Sequence, residues 1–340
     1  MKNTAYFFII TISTVFILIQ GKNILIPFVF ALLLWFIVRN LRGALNKIKF
    51  VNRYFPLWLK NLIPSIFLII VLTLITKLLM VNITILTKSY SLYEGNVIVL
   101  INKVNDLFNI NLLEYFKANS SSLIFGNLLQ KIFESITGIL GDTFIIIIYA
   151  LFILIEEAHF YKKIKTVVSE RSQFMQLTNV LNKIDTSVSK YIGLKTFISF
   201  LTGFLSYIAL LLIGVDAPLF WAFLIFLLNY IPTIGSLVAT FFPAIFCLLQ
   251  FGDFFRGFLV LAIVGSIQLI VGNILEPRLA GNTLNISPFV AILSLSFWGA
   301  IWGITGLFLS VPMTVIMVII FSNFENTKPV AIMLSEKGEI

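Results

Sequence analysis

Glu276 and Arg278 flank Pro277 in the phrase GNILEPRLAG, an isolated pair of charges between long apolar runs. An unpaired charge at the centre of a bilayer costs about 2.5–3.5 kcal/mol on insertion scales. The two side chains can pair with each other, or with Asp216, or lie at an interface and fix the depth of a helix end. The alternative is a carboxylate at Glu276 that takes up a proton or cation and so drives movement of a solute. A second group surrounds the phrase NYIPTIGS. Asn229 both donates and accepts hydrogen bonds, so beside a chain break it can hold a hydroxylated solute or replace a lost backbone bond. Pro232 and Gly235 shape that break, and Thr233 and Ser236 can satisfy its orphan carbonyls or touch a solute. Gln268 and Asn273 add neutral polar groups. A site built this way suits a sugar-like molecule. Pro288 opens a second run in which Gly299, Gly303 and Gly306 allow close helix approach, as plain packing or as a sliding surface.

Other residue types carry less. Asp142 is a carboxylate near the end of an apolar run. Lys77 reads as a snorkelling side chain. The chain has 1 His and 1 Cys, so His159 has no second histidine for a metal site and Cys247 has no partner within the chain. No phosphate-binding loop or nucleophile elbow occurs. The chain is therefore expected not to be an enzyme, and to need no cofactor or metal.

The elements that must position these residues are membrane helices. Hydrophobic residues make up 59% of the 340 and charged residues only 11%, and Phe alone occurs 35 times. That is far from a soluble domain. The net charge of +9 lies largely in short segments between apolar runs, which is the positive-inside signature and not a nucleic-acid footprint. The expected class is all-α: a polytopic integral membrane protein with about eight hydrophobic segments, two of them broken by proline and glycine, plus amphipathic interfacial helices.

In order, residues 5–19 and 24–38 form a helical hairpin, with Pro27 in the first turn of the second helix. No signal-peptide cleavage site follows the first run. Residues 39–60 carry Arg39, Arg42, Lys47, Lys49, Arg53 and Lys60 and no acid, which places them in the cytoplasm. Residues 62–86 form the third span. Residues 87–135 are expected to be external, with one amphipathic helix bearing Val97, Ile101, Val104 and Phe108 and another bearing Phe125, Leu128, Leu129, Ile132, Phe133 and Ile136. Residues 136–155 span back, and 160–192 form a cytoplasmic connector leading into a span at 193–213. The expected divisions are 1–86, 87–135, 136–192, a transport core at 193–322 and a cytoplasmic tail at 323–340. Both termini are expected inside.

The core holds two segments of like design. One runs from Pro218 through Pro232-Thr233-Ile234-Gly235 to Pro243. The other runs from Pro288 through Gly299, Gly303 and Gly306 to Pro312. Proline removes a backbone donor and clashes with the preceding turn. In lipid the freed groups need partners in protein or in a water-lined cavity, and transporters place solutes at such breaks. Each segment is either one long broken span or a re-entrant hairpin, turning at 231–235 and at 299–306. Halves of about 14–17 residues are short for spans and favour hairpins. The loop at Asp253 and Arg256 separates the two: inside for broken spans, outside for hairpins.

The phrases LLNYIPTIGS (227–236), GNILEPRLAGNTLNISP (272–288) and FWGAIWGITGLFLSVP (297–312) resemble the signatures of the autoinducer-2 exporter-like family of membrane permeases, and GVDAPLFWAFLIF also fits. The likeness is specific over about residues 190–320 and looser before. It implies a homo-oligomeric, multi-pass inner-membrane protein that exports a small polar molecule such as autoinducer-2, or alternatively a sodium/proton antiporter. The partners implied are the lipid bilayer, the solute and a coupling ion, H+ or Na+. Only motif positions carry over from it: Asn229, Pro232, Gly235, Glu276, Pro277, Arg278, Gly281 and Pro288.

Overall fold

The computed structural model describes residues 2–108, 143–168, 170–280, 286–336 and 338. Asp142, Gly281 and the amphipathic helix expected at 125–136 lie outside them. Every regular element among the described residues is helical. In order these are α1 (Lys2–Gln20), α2 (Lys22–Asn46), α3 (Lys49–Tyr54), α4 (Leu57–Lys88), α5 (Tyr90–Phe108), α6 (Thr143–Val167), α7 (Arg171–Ile213), α8 (Pro218–Leu228) and α9 (Ile234–Phe251). They continue with α10 (Phe254–Gln268), a π-helical stretch (Leu269–Leu275), α11 (Glu276–Ala280), α12 (Pro288–Ser322) and α13 (Lys328–Leu334).

Among the described residues, six helices are long and apolar enough to cross a membrane. Their apolar side chains are broadly exposed: Phe67, Ile70, Leu74 and Val81 on α4, and Phe197, Phe200 and Leu212 on α7. An aqueous protein does not expose apolar surface on this scale. The chain is thus a multi-pass membrane protein, and the expected eight segments stand as an approximate count.

Two compact units divide the chain. One comprises Met1–Ile69, Leu140–Gly193 and Asn282–Ile340, the other Ile70–Ile139 and Leu194–Gly281.

In the first unit, α2 packs on α6 through small side chains, Ala31 of α2 meeting Ile146 and Ala150 of α6. Pro27 falls in the second turn of α2, not the first, because the helix begins at Lys22. The basic stretch at 39–60 is less of a loop than its charges suggest. α2 runs on through Arg39 and Arg42 to Asn46, and α3 follows after a short turn. Arg42 donates to Glu157 of α6 at 2.6 and 3.1 Å and to Asn61 at 2.6 Å. Arg39 pairs with Asp185 of α7 at 3.0 Å. These arginines therefore tie α2 to α4, α6 and α7. α12 is one helix only nominally. Gly303, at φ 61° and ψ −138°, interrupts it. Trp298 Nε1 donates to Thr314 Oγ1 at 3.2 Å although 16 residues separate them. A straight helix would hold the two about 24 Å apart, so α12 folds back as a hairpin.

In the second unit, α8, α9, α10 and the later part of α7 enclose a core that includes Phe220, Trp221, Ile225, Phe246 and Val264, capped by Tyr93 of α5. α5 does not simply lie on an interface. Asn96 donates to Gln250 O at 2.6 Å and Lys103 to Gly252 O at 2.7 Å, which fastens α5 to the end of α9. Its expected apolar face is only partly used, since Phe108 is exposed. The connector and the fifth span are one unbroken helix, α7, of 43 residues.

Candidate functional site

The break between α8 and α9 is held by local strain and one exclusion. Ile234 N donates to Pro232 O at 2.6 Å, closing a three-residue turn around Thr233. Thr233 sits there at φ 59° and ψ −61°, a rare and strained γ-turn for a side chain branched at Cβ. Ala217, at the other end of α8, also has positive φ, 52°. Such residues cost about 1–3 kcal/mol each and persist only where the surroundings impose them. Gly235 then passes so close to α8 that a Cβ would lie 1.8 Å from Leu228 O. Ser236 Oγ donates to Thr233 O at 2.8 Å, a carbonyl that also accepts from Leu237 N at 3.3 Å at the start of α9. The result is a hairpin: Trp221 of α8 and Phe246 of α9 bring their rings to 4.8 Å. Its two ends are tied together, because Gln250 donates to Gly214 O at 2.9 Å and accepts from Asp216 N at 2.7 Å.

α12 turns by the same device, since a Cβ on Gly306 would lie 1.8 Å from Trp298 O. Prolines expected to break the helices do not all do so: Pro243 and Pro312 sit inside continuous stretches of α9 and α12. The actual interruptions fall at 229–233 and at Gly303. Pro288 serves as the first residue of α12, after Ser287, whose hydroxyl accepts from Val290 N at 3.2 Å.

The polar groups sort into three places within the second unit. At the tied ends of the hairpin, Tyr93 donates to Asp216 Oδ2 at 2.7 Å. Asp216 is thereby a clamp for α5, not a partner for Glu276. At the break, buried Asn229 donates to Ser199 Oγ at 3.3 Å, and the hydroxyls of Tyr230 and Thr196 lie 2.7 Å apart. Below the break, Glu276 accepts from Lys195 Nζ at 2.5 Å. That pairing replaces the expected alternatives with Arg278 or Asp216. Arg278 and Asn273 are exposed, so neither joins the buried set.

A buried polar stripe on α7 organises these contacts. Lys195, Ser199, Thr202 and Ser206 are all buried on α7, at 5%, 0%, 1% and 0% exposure. The spacing of four, three and four residues places them on one helical stripe. Their polarity was legible at positions i, i+4, i+7 and i+11 of an apolar span, but short hydroxyl side chains there read as ordinary packing. Gly203 lies beside the stripe, where a Cβ would sit 3.0 Å from Ala222 O, so α7 and α8 cross closely. Gln268 of α10 is also buried, with neither amide atom hydrogen-bonded, and Ser206 Oγ and Trp221 Nε1 share that condition among the described residues. A buried polar atom without a partner costs about 1–3 kcal/mol. The π-helical stretch begins directly after Gln268, and such stretches collect at functional sites. The arrangement can bind a small polar molecule by hydrogen bonds.

The pattern of the AI-2E family transporter matches residues 6–326. A candidate transport protein of Borreliella burgdorferi is 34% identical over 254 residues, covering 74% of this chain and 70% of that protein. The AI-2 transport protein TqsA of Escherichia coli K12 is 35% identical over 225 residues, covering 66% of this chain and 63% of that protein. A candidate transport protein of Haemophilus influenzae is 30% identical over 341 residues, covering 96% and 95%.

Proposed function

This chain belongs to the AI-2E transporter family, and on that premise we propose that it is a secondary permease that exports a small polar molecule, with AI-2 as its cargo. The observation that carries the reading is the second unit's hairpin. It opens an apolar bundle at a strained turn and sets Asn229 against a buried polar stripe on α7. A packing role alone would be met by apolar side chains at lower desolvation cost. The AI-2 cargo follows from the likeness to the AI-2 transport protein of Escherichia coli and from the neutral character of the hairpin's polar groups. Positive residues at 39–60 favour a cytoplasmic location for both termini, in the inner membrane. The exposed apolar helices would face lipid and further copies of the chain in a homo-oligomer. The antiporter alternative gains no observation of its own, because Glu276 and Asp216 are each engaged, with Lys195 and Tyr93.

The test is AI-2 flux in proteoliposomes of purified protein, with and without imposed proton and sodium gradients. The wild type is expected to carry AI-2, and Asn229→Ala combined with Glu276→Gln to lose at least about nine-tenths of the flux, equal to about 1.4 kcal/mol in the barrier. Cation-driven proton movement without AI-2 flux would overturn the cargo and revive the antiporter.

A further inference from the structure

We infer that the second unit contains an occluded site for one neutral, hydroxyl- or carbonyl-bearing solute, formed by Ser206 and Gln268 beside the Ser199–Asn229 contact. The inference rests on the permease reading and adds to it the place and the chemical class of the ligand.

The ion pair of Lys195 with Glu276 fixes the register of α7 against the α10–α11 stretch. The two run antiparallel, since Gly214 at the far end of α7 is tied to Gln250, just before α10. Counting from the pair, Gln268 lies eight residues back along its segment, about 10–12 Å because the wider π-helical stretch rises less per residue than an α-helix, while Thr202 and Ser206 lie about 10 and 17 Å along α7. Gln268 therefore falls level with the stretch between Thr202 and Ser206. Both side chains face the same core: Leu210, one turn beyond Ser206, and Val264, one turn before Gln268, belong to one cluster. Gln268 is 7% exposed and Ser206 0%, yet Gln268 Oε1, Gln268 Nε2 and Ser206 Oγ have no hydrogen-bond partner among the described residues.

The unmet groups define what would fit. The amide offers two donors and one acceptor, and the hydroxyl offers one donor and accepts as well. A hydroxyl or carbonyl compound satisfies such a mixed set. A charged solute does not, because no uncompensated charge stands beside these atoms: Lys195 and Glu276 already neutralise each other. An apolar solute would leave all three atoms unmet. The groove that α7 and α10 form on their outer side, about 530 Å³ in volume, is lined by Leu205 and Ile267, the residues immediately before Ser206 and Gln268. It is apolar apart from Arg256, so the polar site faces away from it, toward the core.

The experiment places a thiol in the site. Ser206→Cys in a Cys247→Ala background is reconstituted in liposomes and treated with a small neutral, hydrophilic methanethiosulfonate. Gln268→Cys serves as the second variant should the first fail to fold. Labelling is followed alone and with AI-2, D-ribose, sodium or lithium. The thiol is expected to label as the protein cycles, to be protected at least about tenfold by AI-2, and to lose that protection when Gln268→Leu is added. Protection by D-ribose without AI-2 would keep the site and remove AI-2 as its cargo. Normal AI-2 flux with a thiol that never labels, or labels without protection by any neutral solute, would overturn the site and leave the permease standing. Protection by cations alone would overturn the ligand class. A structural role for the orphan groups is read separately: Ser206→Ala with Gln268→Leu should leave the melting temperature unchanged or higher, and a marked fall would overturn the site.

Discussion

Arg42 grips Glu157 with two hydrogen bonds, and Trp35 adds a third at 3.1 Å. Burial pushes the Glu157 carboxyl up, but the bonds from Arg42 and Trp35 outweigh it and hold the group below its ordinary value of 4.5. The folded value thus lies below the unfolded one. The pair's contribution is complete above about pH 4.5 and is lost as pH falls through the folded value. Glu157→Gln leaves the guanidinium facing neutral acceptors. A fully buried pair broken on one side costs about 3–5 kcal/mol. With the two side chains 11% and 20% exposed, about 2 kcal/mol is expected. The purified variant should melt several degrees below wild type at pH 7, and the gap should narrow at acid pH, below about 4.5. An equal gap at both pH values would place the loss elsewhere. Asp185 behaves oppositely: burial raises its carboxyl more than Arg39 lowers it.

The two hairpins rest on glycines that act in different ways, and substitution separates them. At Gly235 and Gly306 a Cβ would collide with backbone oxygen at 1.8 Å, so Gly235→Ala and Gly306→Ala must open the turn itself. Gly303 has open space around its Cβ position but φ 61° and ψ −138°, so Gly303→Ala costs only conformational strain, about 1–3 kcal/mol. Gly235→Ala is expected to abolish flux, and Gly303→Ala to retain protein and part of its flux at a lower melting temperature. Equal effects would mean that the collision at Gly235 is not what sets the two positions apart. These breaks were readable because Gly and Pro leave a mark in sequence. Helix continuity was not: Pro243 and Pro312 look the same on paper as Pro232, yet the chain stays helical through them, because neighbouring packing decides whether a lost bond ends the helix. Long-range partners were also hidden. Periodicity tells which face of α7 holds Lys195, but nothing local joins it to Glu276, 81 residues on, or Tyr93 to Asp216, 123 residues on.

At the scale of the molecule, the hairpin form of 218–251 decides which side of the membrane each end of α10 meets. A segment that enters and leaves by the same face returns the chain to the side on which α7 ended. The contacts of α5 agree. Asn96 and Lys103, in the stretch expected outside, bind the carbonyls of Gln250 and Gly252, so the start of α10 shares their side. A broken span would instead carry Gly252 to the face of the basic residues at 39–60. Single-cysteine variants in a Cys247→Ala background distinguish the two. Arg256→Cys, at an exposed position stacked on Phe251, should react with a membrane-impermeant maleimide added to intact spheroplasts. Lys47→Cys should react only after the membrane is opened. Labelling of Lys47→Cys alone from outside would reverse the orientation proposed for the termini, and labelling of both would in addition remove the hairpin. Labelling of neither would return residues 218–251 to a single broken crossing, and with it the fastening of α5 to α9 would lose its place in the membrane.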